Sequence, residues 1–128
     1  MTKKEINVFE KLQSQLEGLH EEINTLSKKS QNGALNLFKL NFVNQILTEA
    51  NKLLSVKYKP FKDFHKFEEN EMPSNSDASL MLIQYLNCME KLRADNIDKQ
   101  GFSKNWFWIV DGKLSNIRTK SPKIIKEK

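Results

Sequence analysis

The stretch NWFWIVDGK, residues 105–113, decides whether this chain is all helix or helix plus sheet. Everything before it carries helical spacing. Here aromatic and β-branched residues crowd together, and Asp111-Gly112 is a two-residue hairpin signal. A hairpin pairs Val110 with Lys113, Trp108 with Ser115 and Trp106 with Ile117. Strand side chains alternate, so these share one face, and Phe107, Ile109, Leu114 and Asn116 share the other. A helix is the rival, because Phe102, Trp106 and Ile109 also fall at helical spacing, with Ser103 as a cap. We prefer the hairpin. A hairpin is marginal alone, and two tryptophans suit it for docking on helices.

Upstream, the pattern predicts three long helices. Helix 1 spans Lys3 to Lys29. Thr2 and Glu5 have capping-box spacing, and Phe9, Leu12, Leu16, Leu19, Ile23 and Leu26 form a heptad seam. That seam suits either an intramolecular bundle or a dimer. Gly18 inside the helix costs about 1 kcal/mol relative to Ala, which implies compensating packing. Ser30 to Gly33 ends the helix. Helix 2 spans Ala34 to Val56. Its first half is apolar on nearly every side (Leu35, Leu37, Phe38, Leu40, Phe42, Val43), which predicts a central, buried helix. Phe61, Phe64 and Phe67 predict a short connecting helix pressed on the core. EENEMPSNS, residues 68–76, reads as exposed. Helix 3 spans Asp77 to Asn96, with Ser74 near its start and Gly101 beyond its exit.

The charge is uneven. Residues 1–100 hold 14 basic and 14 acidic side chains, and residues 101–128 hold 7 basic and 2 acidic. The net +5 therefore lies around the opening stretch. Single-strand binders combine cations with aromatic platforms, so Trp106, Trp108, Lys113, Arg118, Lys120 and Lys123 are the candidate contacts with nucleic acid or a protein partner. With Arg93 and Arg118 the only arginines, sequence-specific base reading is not expected.

Catalytic signals are weak. Four glycines form no phosphate loop. Cys88, the single cysteine, sits beside the apolar stripe of helix 3 and has no histidine nearby in sequence. His65 with Asp63, Glu68 and Glu69 is the one cluster resembling a metal or acid–base site, but a zinc site wants more nitrogen or sulfur ligands. His20 reads as a surface residue. No enzyme, metal or cofactor is expected. No segment has the length of a membrane span, and MTKKEINVFEKLQSQ lacks the apolar core of a signal peptide, so the expectation is a cytoplasmic chain without membrane contact. Nineteen lysines, two arginines and thirteen asparagines suggest an AT-rich bacterial coding sequence.

The sequence therefore predicts a mainly α fold: an up-down bundle of three long helices with a short connecting helix and a small C-terminal hairpin. Residues 1–118 form one domain, and residues 119–128 form a basic, mobile tail. The expected function is non-catalytic protein interaction or assembly, as adaptor, oligomerising subunit or regulator, with self-association through the helix 1 seam. The alternative is a nucleic-acid accessory protein acting through the C-terminal region.

Overall fold

The computed structural model describes residues 1–123. The fold is mainly helical, with helices α1 (Lys3–Lys29), α2 (Leu37–Tyr58) and α3 (Asn75–Asp95). A small antiparallel sheet follows, with strands β1 (Ile97–Lys99), β2 (Trp106–Val110) and β3 (Lys113–Thr119) in the order β1-β2-β3.

The capping box of α1 is closed. Glu5 N–H donates to Thr2 Oγ1 at 3.1 Å, and Thr2 N–H donates to Glu5 Oε1 at 2.9 Å. Lys28 and Lys29 sit in the last turn, where the helix dipole favours cations. Phe9, Leu12, Leu16 and Ile23 are buried, Leu19 and Leu26 are half-buried, and Ile6 extends the stripe towards the N-terminus. The seam is thus covered within a single chain. Gly18 brings no neighbour close: a Cβ placed there would meet nothing within 4 Å. The compensating packing expected for it is not present.

Two of the helices run in the same direction, which corrects the up-down order. Ala34 bridges to Ser74 at the start of both α2 and α3. Asn51 Oδ1 accepts from Tyr85 Oη at 2.6 Å midway. Tyr58 Oη donates to Asp95 Oδ2 at 2.7 Å at their ends. α1 opposes both, since Glu22 reaches Lys39 and Asn24 reaches Ser79. The parallel arrangement needs a long return. α2, with 22 residues, is about 33 Å long, and residues 59–74 extended reach up to about 50 Å. Asparagines hold this return against α2. Asn44 donates to Phe67 C=O at 2.8 Å and accepts from Phe67 N–H at 2.9 Å, and Asn51 donates to His65 C=O at 2.8 Å.

The connecting helix is also displaced. The helical turn is a 3₁₀ turn at Glu69–Glu71, and Phe61 is exposed rather than packed. Phe64 and Phe67 do meet the core, ring against ring at 5.1 Å, with Phe64 also edge-on to Tyr85. α2 starts at Leu37 rather than Ala34. Leu35 N–H donates to Pro73 C=O, so the chain there is extended, and Asn36 caps the helix through Lys39 N–H at 2.8 Å. Its backbone breaks at Ser55, where φ is 56°.

The sheet contains a third strand, Ile97–Lys99, in the stretch between the expected end of helix 3 at Asn96 and Gly101. Ile97 pairs with Trp108, and Lys99 with Trp106. Asp111 and Gly112 both take positive φ, 51° and 81°, as a type I′ turn requires. Val110 pairs with Lys113 as expected, but Trp106 pairs with Thr119 rather than Ile117. The extra residues lie opposite Trp108. There Ser115 Oγ donates to Trp108 C=O at 2.6 Å and accepts from Ile117 N–H at 3.1 Å. A slip of two residues preserves each side chain's face.

α2 and the sheet lie on opposite sides of the α1–α3 pair. Tyr85 and Asp95 of α3 face α2, whereas Glu90 and Arg93, on the other side of that helix, face the chain beyond β3. α1 divides likewise, with Glu22 turned to α2 and Glu10 to Trp108. One core joins the layers, from Phe9 and Leu16 through Leu47 and Leu82 to Ile97 and Trp108. No helix among the described residues is long and apolar enough to cross a membrane.

Candidate functional site

The two tryptophans face inward. Trp108 is 0% exposed, its ring edge-on to Phe9 at 5.2 Å between centroids, and its indole N–H donates to Glu10 Oε1 at 3.3 Å. Trp106 is half-buried against the core, with the Lys99 ammonium 5.4 Å from its ring. Trp108 therefore offers no face for a nucleic-acid base to stack on.

The candidate cations separate. Lys113 is exposed beside the hairpin turn. Arg118, Lys120 and Lys123 line a groove of about 460 Å³ between β3 and α1. Glu10 and Glu17 line the same groove, and Arg93 contributes to it as well. Two carboxylates thus face four cations, one of which, Arg93, is paired with Glu90, so the groove mixes both signs instead of forming a continuous cationic track. A neighbouring cavity of about 470 Å³ is more apolar, lined by Ile83, Leu86, Glu90 and Lys123.

Arg93 and Glu90 form a buried pair that sequence reading missed. The guanidinium donates to both Glu90 oxygens at 2.7 and 2.8 Å. Its remaining N–H groups reach Thr119 Oγ1 at 3.0 Å, Lys120 C=O at 2.7 Å and Ser121 C=O at 3.0 Å. Glu90 also accepts from Lys123 N–H at 2.9 Å. Within the stretch expected as a tail, Thr119, Lys120, Ser121 and Lys123 are therefore hydrogen-bonded to α3; residues 124–128 lie outside the described residues. Burial raises the Glu90 carboxyl, but the hydrogen bonds from Arg93 and Lys123 and their positive charge outweigh it. The carboxyl is held below the usual glutamate value. The i,i+3 spacing of Glu90 and Arg93 was visible in sequence, but nothing there showed that it pointed inward.

Burial pushes the Cys88 thiol up, away from the thiolate a nucleophile needs. His65 shares a hydrogen bond with Lys59 Nζ at 2.8 Å. Among the described residues, no three His, Cys, Asp or Glu side chains gather as a metal site, and no buried side-chain polar atom lacks a partner.

What the surface does present is two apolar faces, the second partly covered. The first is on α2. Leu40, Val43, Leu47, Ala50 and Leu54 turn into the core, and residues two positions from a buried one point away from it. Phe38 is 71% exposed, Leu37 51% and Phe42 47%, so the first half of α2 is not the buried spine expected. The Phe38 and Phe42 rings pack edge to face at 4.9 Å in solvent. The second face is the outer side of the sheet. Phe107, Ile109 and Leu114 alternate with the inward residues and stand apart from the core cluster; Phe107 and Ile109 are half-buried and Leu114 is 41% exposed. Sequence reading grouped the strand residues by face but did not say which face looked out. For α2, the 3-4 spacing of Leu40, Val43, Leu47, Ala50 and Leu54 was the signal that left Phe38 and Phe42 outside.

The class these features define is a mainly helical protein with a small three-stranded antiparallel sheet packed on one side. Comparison of the chain with known protein families, curated proteins and solved structures found no match.

Proposed function

We propose that this chain is a non-catalytic protein-interaction module whose binding face is the outward side of α2 around Phe38 and Phe42. The supporting observation is the exposed ring pair. Burying an aromatic side chain contributes on the order of 2–3 kcal/mol, and leaving two in water is a cost to the lone chain that a partner removes. Contiguous exposed apolar side chains mark interaction sites more often than scattered ones do, and aromatic anchors dominate interface energies. Of the helix 1 seam, the surface first expected to serve, Phe9, Leu12, Leu16, Leu19 and Ile23 are in or against the core. The alternative of nucleic-acid binding would use Trp106, Lys113, Arg118, Lys120 and Lys123, without the Trp108 ring, which is 0% exposed.

The test is recovery of complexes from source cells on tagged wild-type chain and on Phe38→Ser/Phe42→Ser chain. A protein held by the first and lost from the second is expected. Equal recovery on both contradicts the proposal.

A further inference from the structure

The loop between β1 and β2 carries an aromatic ring that nothing in the chain covers. Phe102 is 109% exposed, the highest value of any large apolar side chain among the described residues. Both faces of its ring are therefore open.

The backbone holds that ring out. Ser103 N–H donates to Gln100 C=O at 3.0 Å, closing a turn with Gly101 and Phe102 at its two central positions. Gly101 takes a φ of 56°, a conformation that glycine adopts without the strain of a side chain. Asn105 N–H donates to Ser103 Oγ at 3.0 Å, and Arg118 Nη2 donates to Asn105 Oδ1 at 2.8 Å. The loop is thus tied to itself and to β3, with the ring at its tip.

Cations stand around it. Lys99 and Lys104 lie on either side of the turn, both exposed. Lys99 pairs with Trp106 and Trp106 with Thr119, so Arg118 lies at the same end of the sheet. Its guanidinium is turned to Asn105 of the loop, although it also lines the groove that holds Glu10 and Glu17. Lys120 faces the same two glutamates in that groove and is set aside. Asp98 is the one acidic residue of β1, the loop and β2, and its Oδ1 accepts from Lys99 N–H at 2.8 Å. Neither Lys99 nor Lys104 nor Arg118 forms an ion pair among the described residues. Three cations and one carboxylate thus surround an open ring.

An open ring among cations matches a single strand of nucleic acid, in which every base has a face to stack and every phosphate a charge to neutralise. An anionic membrane is the other surface that sets negative charge beside apolar matter. Membrane binding grows with the apolar area inserted, and the neighbours of Phe102 at the tip are Gln100, Gly101, Ser103 and Lys104. One ring without adjoining apolar side chains favours the base.

We infer that this loop is a contact for single-stranded nucleic acid, with a base stacked on Phe102 and the flanking phosphates held by Lys99, Lys104 and Arg118. The stacking ring is then Phe102 in place of the buried Trp108. The contact is independent of the α2 face, which lies on the other side of the α1–α3 pair.

Fluorescence anisotropy of a short labelled oligothymidylate, titrated with the purified full chain at several salt concentrations, tests this. Wild-type chain should bind at low salt. Phe102→Ala should weaken binding about tenfold and leave the salt dependence unchanged. Lys104→Gln should lower the slope of log K against log salt by about 0.7. Phe102→Leu keeps an apolar side chain without an aromatic face, and it should bind as weakly as Phe102→Ala. These side chains are exposed, so the circular dichroism melts of the variants should match wild type. Wild-type chain that leaves the oligonucleotide unbound at low salt overturns the inference. So does Phe102→Ala or Phe102→Leu chain that binds as tightly as wild type. Phosphatidylglycerol vesicles, pelleted with the same chains, test the other surface. Vesicle binding that needs Phe102, without oligonucleotide binding, assigns the loop to lipid and also overturns it.

Discussion

Glu90 and Arg93 form a buried ion pair that reaches from α3 to the chain at and beyond the end of β3. Their side chains are 9% and 5% exposed, and between them they tie β3's end and residues 120–123 to α3. Removing one member leaves a buried charge without its partner, so Glu90→Gln should cost about 3 kcal/mol of stability in urea unfolding. The pH dependence has a definite sign. The folded carboxyl lies below the usual value of 4.5, so its contribution is fully present above that value and is lost as pH falls through the folded-state value. Glu90→Gln should flatten this acid-side slope, and a slope unchanged in the variant contradicts the assignment. Trp108 shows what a sequence leaves open at this scale. Its strand and its facing partners could be read from NWFWIVDGK, but burial depends on Phe9 and Glu10, roughly a hundred positions away in the chain, where no local pattern reports it.

Elements were legible where local signals set them. Thr2 and Glu5 fixed the start of α1, and Lys3–Lys29 is the span the pattern predicts. Asp111-Gly112 fixed the turn. β1 was not legible, because a three-residue strand, Ile97–Lys99, has no periodicity of its own and exists through pairing with β2. The β2–β3 register also escaped, since the extra residues are absorbed where Ser115 Oγ satisfies groups of the disturbed ladder. The parallel course of α2 and α3 depends on Asn44 and Asn51 gripping backbone groups of the return segment, contacts with no sequence signature. α1 yields a clean prediction. Gly18 has open space around its Cβ position, so Gly18→Ala should stabilise the chain by about 1 kcal/mol through helix propensity alone. Thermal unfolding measures this; a loss of stability would mean the α1 surface at Gly18 is packed after all.

At the scale of the whole molecule, the layers explain why the interaction surface was misplaced in sequence. An amphipathic seam such as that of α1 reads as an interface, but three layers sharing one core use it internally. An all-round apolar helix such as the first half of α2 reads as buried, yet the layers leave it outermost, with its core stripe turned inward and Phe38 and Phe42 turned out. The sign of the charge at the C-terminal end was legible, but its arrangement was not, because Glu10 and Glu17 of α1 meet Arg118, Lys120 and Lys123 only in three dimensions. A photo-crosslinking residue placed at position 38, compared in source cells with the same residue at Val56, tests the α2 face most directly. Both positions are exposed and apolar on one helix, but Val56 lies at the opposite end of it from the ring pair. A discrete adduct from position 38 and none from position 56 is the predicted result. Equal adducts from both, or none from position 38, would contradict a binding face at Phe38 and Phe42.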